Sequence, residues 1–186
     1  VSAHREVLIG APRLVGPKLV LAGLALLPLA PRVESQAKSD WPQWLGPAQN
    51  GTAPEASLFA AAKEVRLRKA WSVPVEGGRS GLAVAEGTVY TLVADGDVET
   101  AVALAVADGR ERWRVKLEPS VSGAHLPPVS TPAVAAGRVF VLGTACVLRA
   151  LEAASGKVLW QIDLKTRFGV ELRQGCATSP FVRDGR

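Results

Sequence analysis

The sequence predicts an all-β fold assembled from repeated four-stranded units, and three observations predict it. First, Val106-Ala-Asp-Gly109-Arg-Glu-Arg-Trp113-Arg-Val-Lys-Leu117 returns as Ala153-Ala-Ser-Gly156-Lys-Val-Leu-Trp160-Gln-Ile-Asp-Leu164, with the glycines and the tryptophans each 47 residues apart. Second, a shared lead-in precedes each copy. It is Gly81-Leu-Ala-Val84-Ala-Glu-Gly87-Thr-Val-Tyr90-Thr-Leu92 before the first and Thr131-Pro-Ala-Val134-Ala-Ala-Gly137-Arg-Val-Phe140-Val-Leu142 before the second. Third, after residue 70 no stretch of about ten or more residues keeps a 3.6-residue hydrophobic period, which argues against helical repeats of similar length. A period of this size marks an array of supersecondary units, each too small to bury its own apolar face.

Within a unit the elements follow in order. Each lead-in reads as a short apolar strand, a glycine turn at Gly87 or Ala136-Gly137, and a second strand rich in β-branched and aromatic residues. A third strand follows at residues 100–106 or 147–151, then a turn at Gly109 or Gly156, then the tryptophan-bearing strand. Four short strands in about 40–50 residues is the size of one β-propeller blade. Gly109 and Gly156 suit tight turns that need φ > 0, where a Cβ is penalised. Trp113 and Trp160 each offer ~150–250 Å² of surface from the last strand, the position for packing on the neighbouring blade.

A third lead-in, Ala177-Thr-Ser-Pro-Phe181-Val-Arg-Asp-Gly185, opens near residue 186. At the other end, Arg68-Lys-Ala-Trp71-Ser-Val-Pro-Val75 matches the tryptophan-bearing strand without the three strands that precede it elsewhere. Its phase predicts that it completes the last blade and closes the ring, with Trp71 in the docking role. Residues 69–186 thus hold about two and a half blades, against about seven or eight in a usual ring. The expectation is the N-terminal piece of a larger propeller.

Residues 1–37 read as a secretory signal. Arg5, Arg13 and Lys18 precede the apolar run at residues 19–30, and Ser35-Gln-Ala37 offers a small-x-small cleavage site. The run is shorter than the ~20 residues needed to span a bilayer. The first cysteine is Cys146, so no lipid-anchor cysteine stands at the cleavage site. The expected product is periplasmic or secreted, with no membrane anchor. Residues 38–68 form a strap and linker: Asp40-Trp41-Pro-Gln-Trp44-Leu-Gly46-Pro-Ala-Gln-Asn50-Gly51 is rigid and turn-rich, and residues 53–68 are an Ala-rich short helix or linker. The strap is expected to pack its indoles on the propeller, in preference to serving as a ligand-stacking platform.

Two motifs carry a family resemblance. Ala150-Leu151-Glu-Ala-Ala-Ser155-Gly156-Lys-Val-Leu-Trp160 resembles the repeat of the pyrroloquinoline-quinone (PQQ)-type propellers, and the Trp41-Pro-Gln-Trp44 segment resembles the opening of many exported members. That superfamily includes quinoprotein alcohol dehydrogenases and an outer-membrane assembly lipoprotein. The resemblance implies that Trp71, Trp113 and Trp160 dock blades. It departs at Asp108, where the motif has Ser or Thr, and at Leu45, where the opening usually has Arg. The motif is specific for the fold and silent on activity.

The formal charge is +5, and removing residues 1–37 leaves 18 basic and 15 acidic side chains, or +3. These are interspersed, with no basic block, which argues against nucleic acid as a partner. Cys146 and Cys176 are the only cysteines. Cys146 stands between the second and third strands of its blade, where such repeats usually turn with Asp-Gly, and Cys176 belongs to the next blade. A disulfide between adjacent blades, two unpaired thiols, and bonds to partners beyond residue 186 are all compatible with this placement; ligand spacing for a metal is absent. His125 lies on a loop entering a strand and reads as a solvated loop residue, and Asp95-Gly96-Asp97 reads as a hairpin turn rather than a calcium loop. No hydrolase, metalloprotease or phosphate-loop motif is present. The expected function is a non-catalytic binding or assembly scaffold with a protein or small-molecule partner. The alternative is a dehydrogenase of alcohols or sugars using PQQ and calcium, whose catalytic residues would lie beyond residue 186. The adjacent cysteine pair characteristic of those enzymes is absent here.

Overall fold

The computed structural model describes residues 40–53, 68–75, 77–119, 128–169 and 175–183. The expected signal segment, residues 54–67 and His125 lie outside them. Among the described residues eight strands form two antiparallel sheets of identical plan. The first is β1 (Ala83–Ala85), β2 (Thr88–Asp95), β3 (Val98–Ala105) and β4 (Glu111–Pro119); the second is β5 (Ala133–Ala135), β6 (Arg138–Leu142), β7 (Val147–Glu152) and β8 (Val158–Asp163). In both, strand order follows chain order, the up-and-down meander of a propeller blade.

Local chemistry explains the repetition. Glu86-Gly87 and Ala136-Gly137 form two-residue turns in which both residues have positive φ (50° and 69°, 49° and 70°). That is the type I′ geometry whose twist matches the flanking strands. Trp113 faces Ala103 and Trp160 faces Ala150, and beside each tryptophan the register slips at a bulge, Ala103/Leu104 and Ala150/Leu151. The loop before each tryptophan strand is closed by a side chain: Asp108 Oδ1 accepts from Arg110 N–H (3.0 Å) and Ser155 Oγ from Lys157 N–H (3.1 Å). Asp108 therefore does the work of the serine it replaces, since both side chains place an oxygen two residues upstream of the amide.

The blades differ at one hairpin. Equivalent residues are 50 apart on the first two strands (Val84 to Val134) and 47 apart on the last two (Ala103 to Ala150), so the β6–β7 hairpin, strands and turn together, is three residues shorter than β2–β3. The main core lies between the sheets: Tyr90, Leu92, Ala101, Ala103 and Trp113 of the first blade meet Val139, Val141 and Leu151 of the second. The other face of the first blade, with Val89, Val93, Val102 and Leu104, is covered in part by Trp71 and Val73. A five-residue helix, α1 (Leu164–Phe168), follows β8. It is too short to show hydrophobic periodicity; Asp163 caps its N-terminus and Gly169 (φ 64°) ends it.

Candidate functional site

Three sets of residues join one blade to the next. The docking tryptophans come first. Trp113 Nε1 donates to the Ala153 carbonyl (2.9 Å), and Trp71 Nε1 donates to the Val106 carbonyl (2.7 Å), the equivalent atom one period earlier. Each indole lies flat against a glycine of the blade it docks on. A Cβ on Gly156 would meet Trp113 Cδ2 at 2.9 Å and Val115 at 2.8 Å, and one on Gly109 would meet Trp71 Cε3 at 2.7 Å. The glycines thus serve twice, for positive φ (75° and 73°) and for close approach. Trp160 packs against Phe140 (centroids 6.0 Å) as Trp113 packs against Tyr90 (5.8 Å), but keeps 40% of its surface exposed against 8% for Trp113.

The Tyr90 hydroxyl reaches toward the same Ala153 carbonyl (3.4 Å), and burial of the ring raises its pKa above the ordinary phenol value. On the surface, the Thr166 amide, the Thr166 hydroxyl and the Lys165 amide hold the Asp163 carboxyl below the usual range.

The second set is the strap. Trp41 exchanges two backbone hydrogen bonds with Val84 of β1 (2.8 Å each), the Pro42 carbonyl accepts from Val134 N–H of β5 (2.8 Å), and the Gln43 side-chain carbonyl accepts from Val182 N–H of the third lead-in (3.0 Å). Three consecutive strap residues thus engage equivalent valines of three successive units. Since β1 and β5 each begin their sheet, the strap lies along the free edges of these first strands. Its indoles are only partly packed: Trp41 is half-buried beside Gly46, whereas Trp44 is 55% exposed. The expectation that both indoles pack is corrected for Trp44. The loop 43–51 closes on itself through Gly46 N–H to the Gln43 carbonyl and Gly51 N–H to the Leu45 carbonyl, which turns Trp44 and Leu45 outward.

The third set sits on the short β6–β7 hairpin. Cys146 ends that loop at φ 67° and is bonded to Cys176 with the Cα atoms 5.1 Å apart. The Thr144 amide donates to the carboxylate of Glu99, fully buried on β3 (2.9 Å), and the Thr144 carbonyl accepts from Cys176 N–H (3.0 Å). Glu99, Gln43 and Ser179 were not marked out by sequence reasoning. The signals for them are weak: a lone acid in an apolar strand, and a hydroxyl before proline at Thr131-Pro132 and Ser179-Pro180.

Asp95-Gly96-Asp97 forms the β2–β3 hairpin, and the Asp95 carboxylate pairs with Lys116 (3.6 Å). An apolar groove of about 250 Å³ opens under Trp71 and Val73 on the far face of the first blade, lined also by Leu82, Val93 and Leu104. Among the described residues no group of three or more His, Cys, Asp or Glu could hold a metal ion.

Residues 61–184 match the family model described as outer membrane protein assembly factor BamB. The fold resembles quinohemoprotein alcohol dehydrogenase from Comamonas testosteroni over 78% of this chain and 22% of that one, with a TM-score of 0.58 and 21% identity. BamB from Moraxella catarrhalis aligns over 50% of this chain and 27% of its own, with a TM-score of 0.41 and 18% identity. The chain spans about a quarter of the length of these two structures. No curated protein matches it.

Proposed function

Since the chain belongs to the family described as outer membrane protein assembly factor BamB, we propose that it forms part of an exported PQQ-like propeller acting as a non-catalytic binding or assembly scaffold. The observation that carries this reading is the strap. Residues 41–43 bond to the first strands of two successive sheets and to the third lead-in with main-chain and amide hydrogen bonds; in a closed propeller this would put a segment of the protein itself beside the axis, where a quinone would sit in a dehydrogenase. The other conspicuous residues are engaged in packing: Trp71 and Trp113 on glycines, and Cys146 with Cys176 in a bridge 30 residues long rather than between neighbours. Export rests on the signal-like residues 1–37 and on the bonded cysteines, which suit an oxidising compartment.

Calorimetric titration of the folded protein with PQQ in the presence of Ca²⁺ tests the reading. No heat is the expected result and turns the search to protein partners. Tight stoichiometric binding would overturn the scaffold in favour of a dehydrogenase.

A further inference from the structure

The lead-ins of successive units are also joined directly, by hydrogen bonds that all run one way. Arg79 N–H donates to the Pro128 carbonyl (2.7 Å), the Ser80 hydroxyl to the Ser130 carbonyl (2.8 Å), and Gly81 N–H to Thr131 Oγ1 (3.2 Å). One unit later, Thr131 N–H donates to Ser179 Oγ (2.9 Å). Among the described residues, each donor of this set lies in the earlier unit and each acceptor in the next. Gly81, Thr131 and Ser179 are equivalent, each three residues before a valine that bonds to the strap (Val84, Val134 and Val182). At Thr131 one residue therefore serves twice: its hydroxyl receives from behind and its amide reaches forward.

The neighbouring residues suit that role. Pro132 and Pro180 follow the two hydroxyl residues; a proline has no N–H of its own and keeps the residue before it extended. Gly81 leaves room for the incoming oxygen, since a Cβ there would meet Thr131 Oγ1 at 2.5 Å. Thr131 itself is 2% exposed, so removing its oxygen leaves the Gly81 amide facing a buried, apolar side chain.

We propose that the hydroxyl at this position is the register key of unit docking. Thr131 fixes the first unit on the second through Gly81, and Ser179 fixes the second on the third through Thr131. The docking indole of Trp113 acts from the last strand of its sheet, whereas the key acts beside the first. Two attachments at opposite ends of a four-stranded sheet define how that sheet is turned on its neighbour; one attachment leaves the turn free. Loss of the key therefore loosens the lead-ins while the tryptophan end stays docked.

Hydrogen exchange followed by NMR on the full chain tests this by comparing Thr131→Val with Thr131→Ser. Valine keeps the shape and removes the acceptor; serine keeps the acceptor. Thr131→Val is expected to speed exchange at the Gly81 and Arg79 amides on the order of 10-fold, with the Trp113 indole N–H within about 2-fold. Thr131→Ser is expected to leave all three within about 2-fold. Ser179→Ala, a gentler change at a half-buried residue, is expected to move the effect one unit on, to the Thr131 amide. Unchanged exchange at Gly81 in Thr131→Val, or at Thr131 in Ser179→Ala, would overturn the key. So would equal effects of valine and serine, or a parallel rise at the Trp113 indole, either of which would make Thr131 a packing residue only.

Discussion

Trp113 and Trp160 occupy the same register on equivalent strands and pair with the same kind of aromatic neighbour, yet one is 8% exposed and the other 40%. Their own strands do not make the difference. Trp113 is covered by Gly156 and donates to the Ala153 carbonyl, and both of these belong to the next blade. A docking residue in a repeat protein is made by its neighbour, as expected where each unit is incomplete alone. The same lesson holds at the other end, where Trp71 lies on Gly109 although residues 71–75 form no sheet of their own among the described residues.

The sharpest way to break the comparison is to truncate both indoles. Trp113→Ala is expected to cost ~3–5 kcal/mol, the range for a buried core aromatic. Trp160→Ala in the same chain is expected to cost about 1 kcal/mol, in line with a half-exposed site. Denaturant unfolding of the two variants measures both. Equal losses would show that the indole's own strand sets its value.

The glycines give a smaller contrast at matched backbone geometry. Gly156→Ala places a Cβ against Trp113 and Val115 at positive φ and is expected to cost about 2–4 kcal/mol. Gly137→Ala, also at positive φ (70°) but with nothing within 4 Å of the added carbon, is expected to cost only about 1 kcal/mol. Thermal unfolding separates the two, and a Gly156 loss no larger than that of Gly137 would mean that the indole yields freely.

The smallest effect is spectroscopic. Tyr90 is the only tyrosine, buried between the blades beside Trp113. Its raised pKa means that its contribution to stability is fully present below about pH 10 and is lost as pH rises through the folded value. Absorbance titration is expected to place tyrosinate formation above the ~10 of a free phenol in the folded chain, and to bring it back toward that value in Trp113→Ala.

Most of the blade could be read from short stretches of chain. The turns at Gly87 and Gly137, the apolar second and third strands and the tryptophan strand all stand where period and composition predict them. Helix α1 escaped because five residues carry no period, although Asp163 and Gly169 bracket it with an N-cap and a left-handed stop. The inter-blade residues were only half legible. Trp113 and Gly156 are marked by repetition, but Glu99 is marked only as a lone acid in an apolar strand and Gln43 only as part of the Trp41–Trp44 opening. Of the readings left open for the cysteines, the structure has the bridge between Cys146 and Cys176.

What the sequence by itself determined is therefore the unit: strand number, strand order within a blade, the turns, and the family to which residues 61–184 belong. These follow from backbone preferences and side-chain alternation that act over a few residues. The tertiary structure alone decided which unit buries which. Gln43 meets Val182 across 139 positions, Thr144 meets Glu99 across 45, and Trp44 turns outward while Trp41 stays beside Gly46. The reason is physical: a hydrogen bond or an indole contact between distant segments depends on where packing brings both partners, and neither partner's local sequence carries that information.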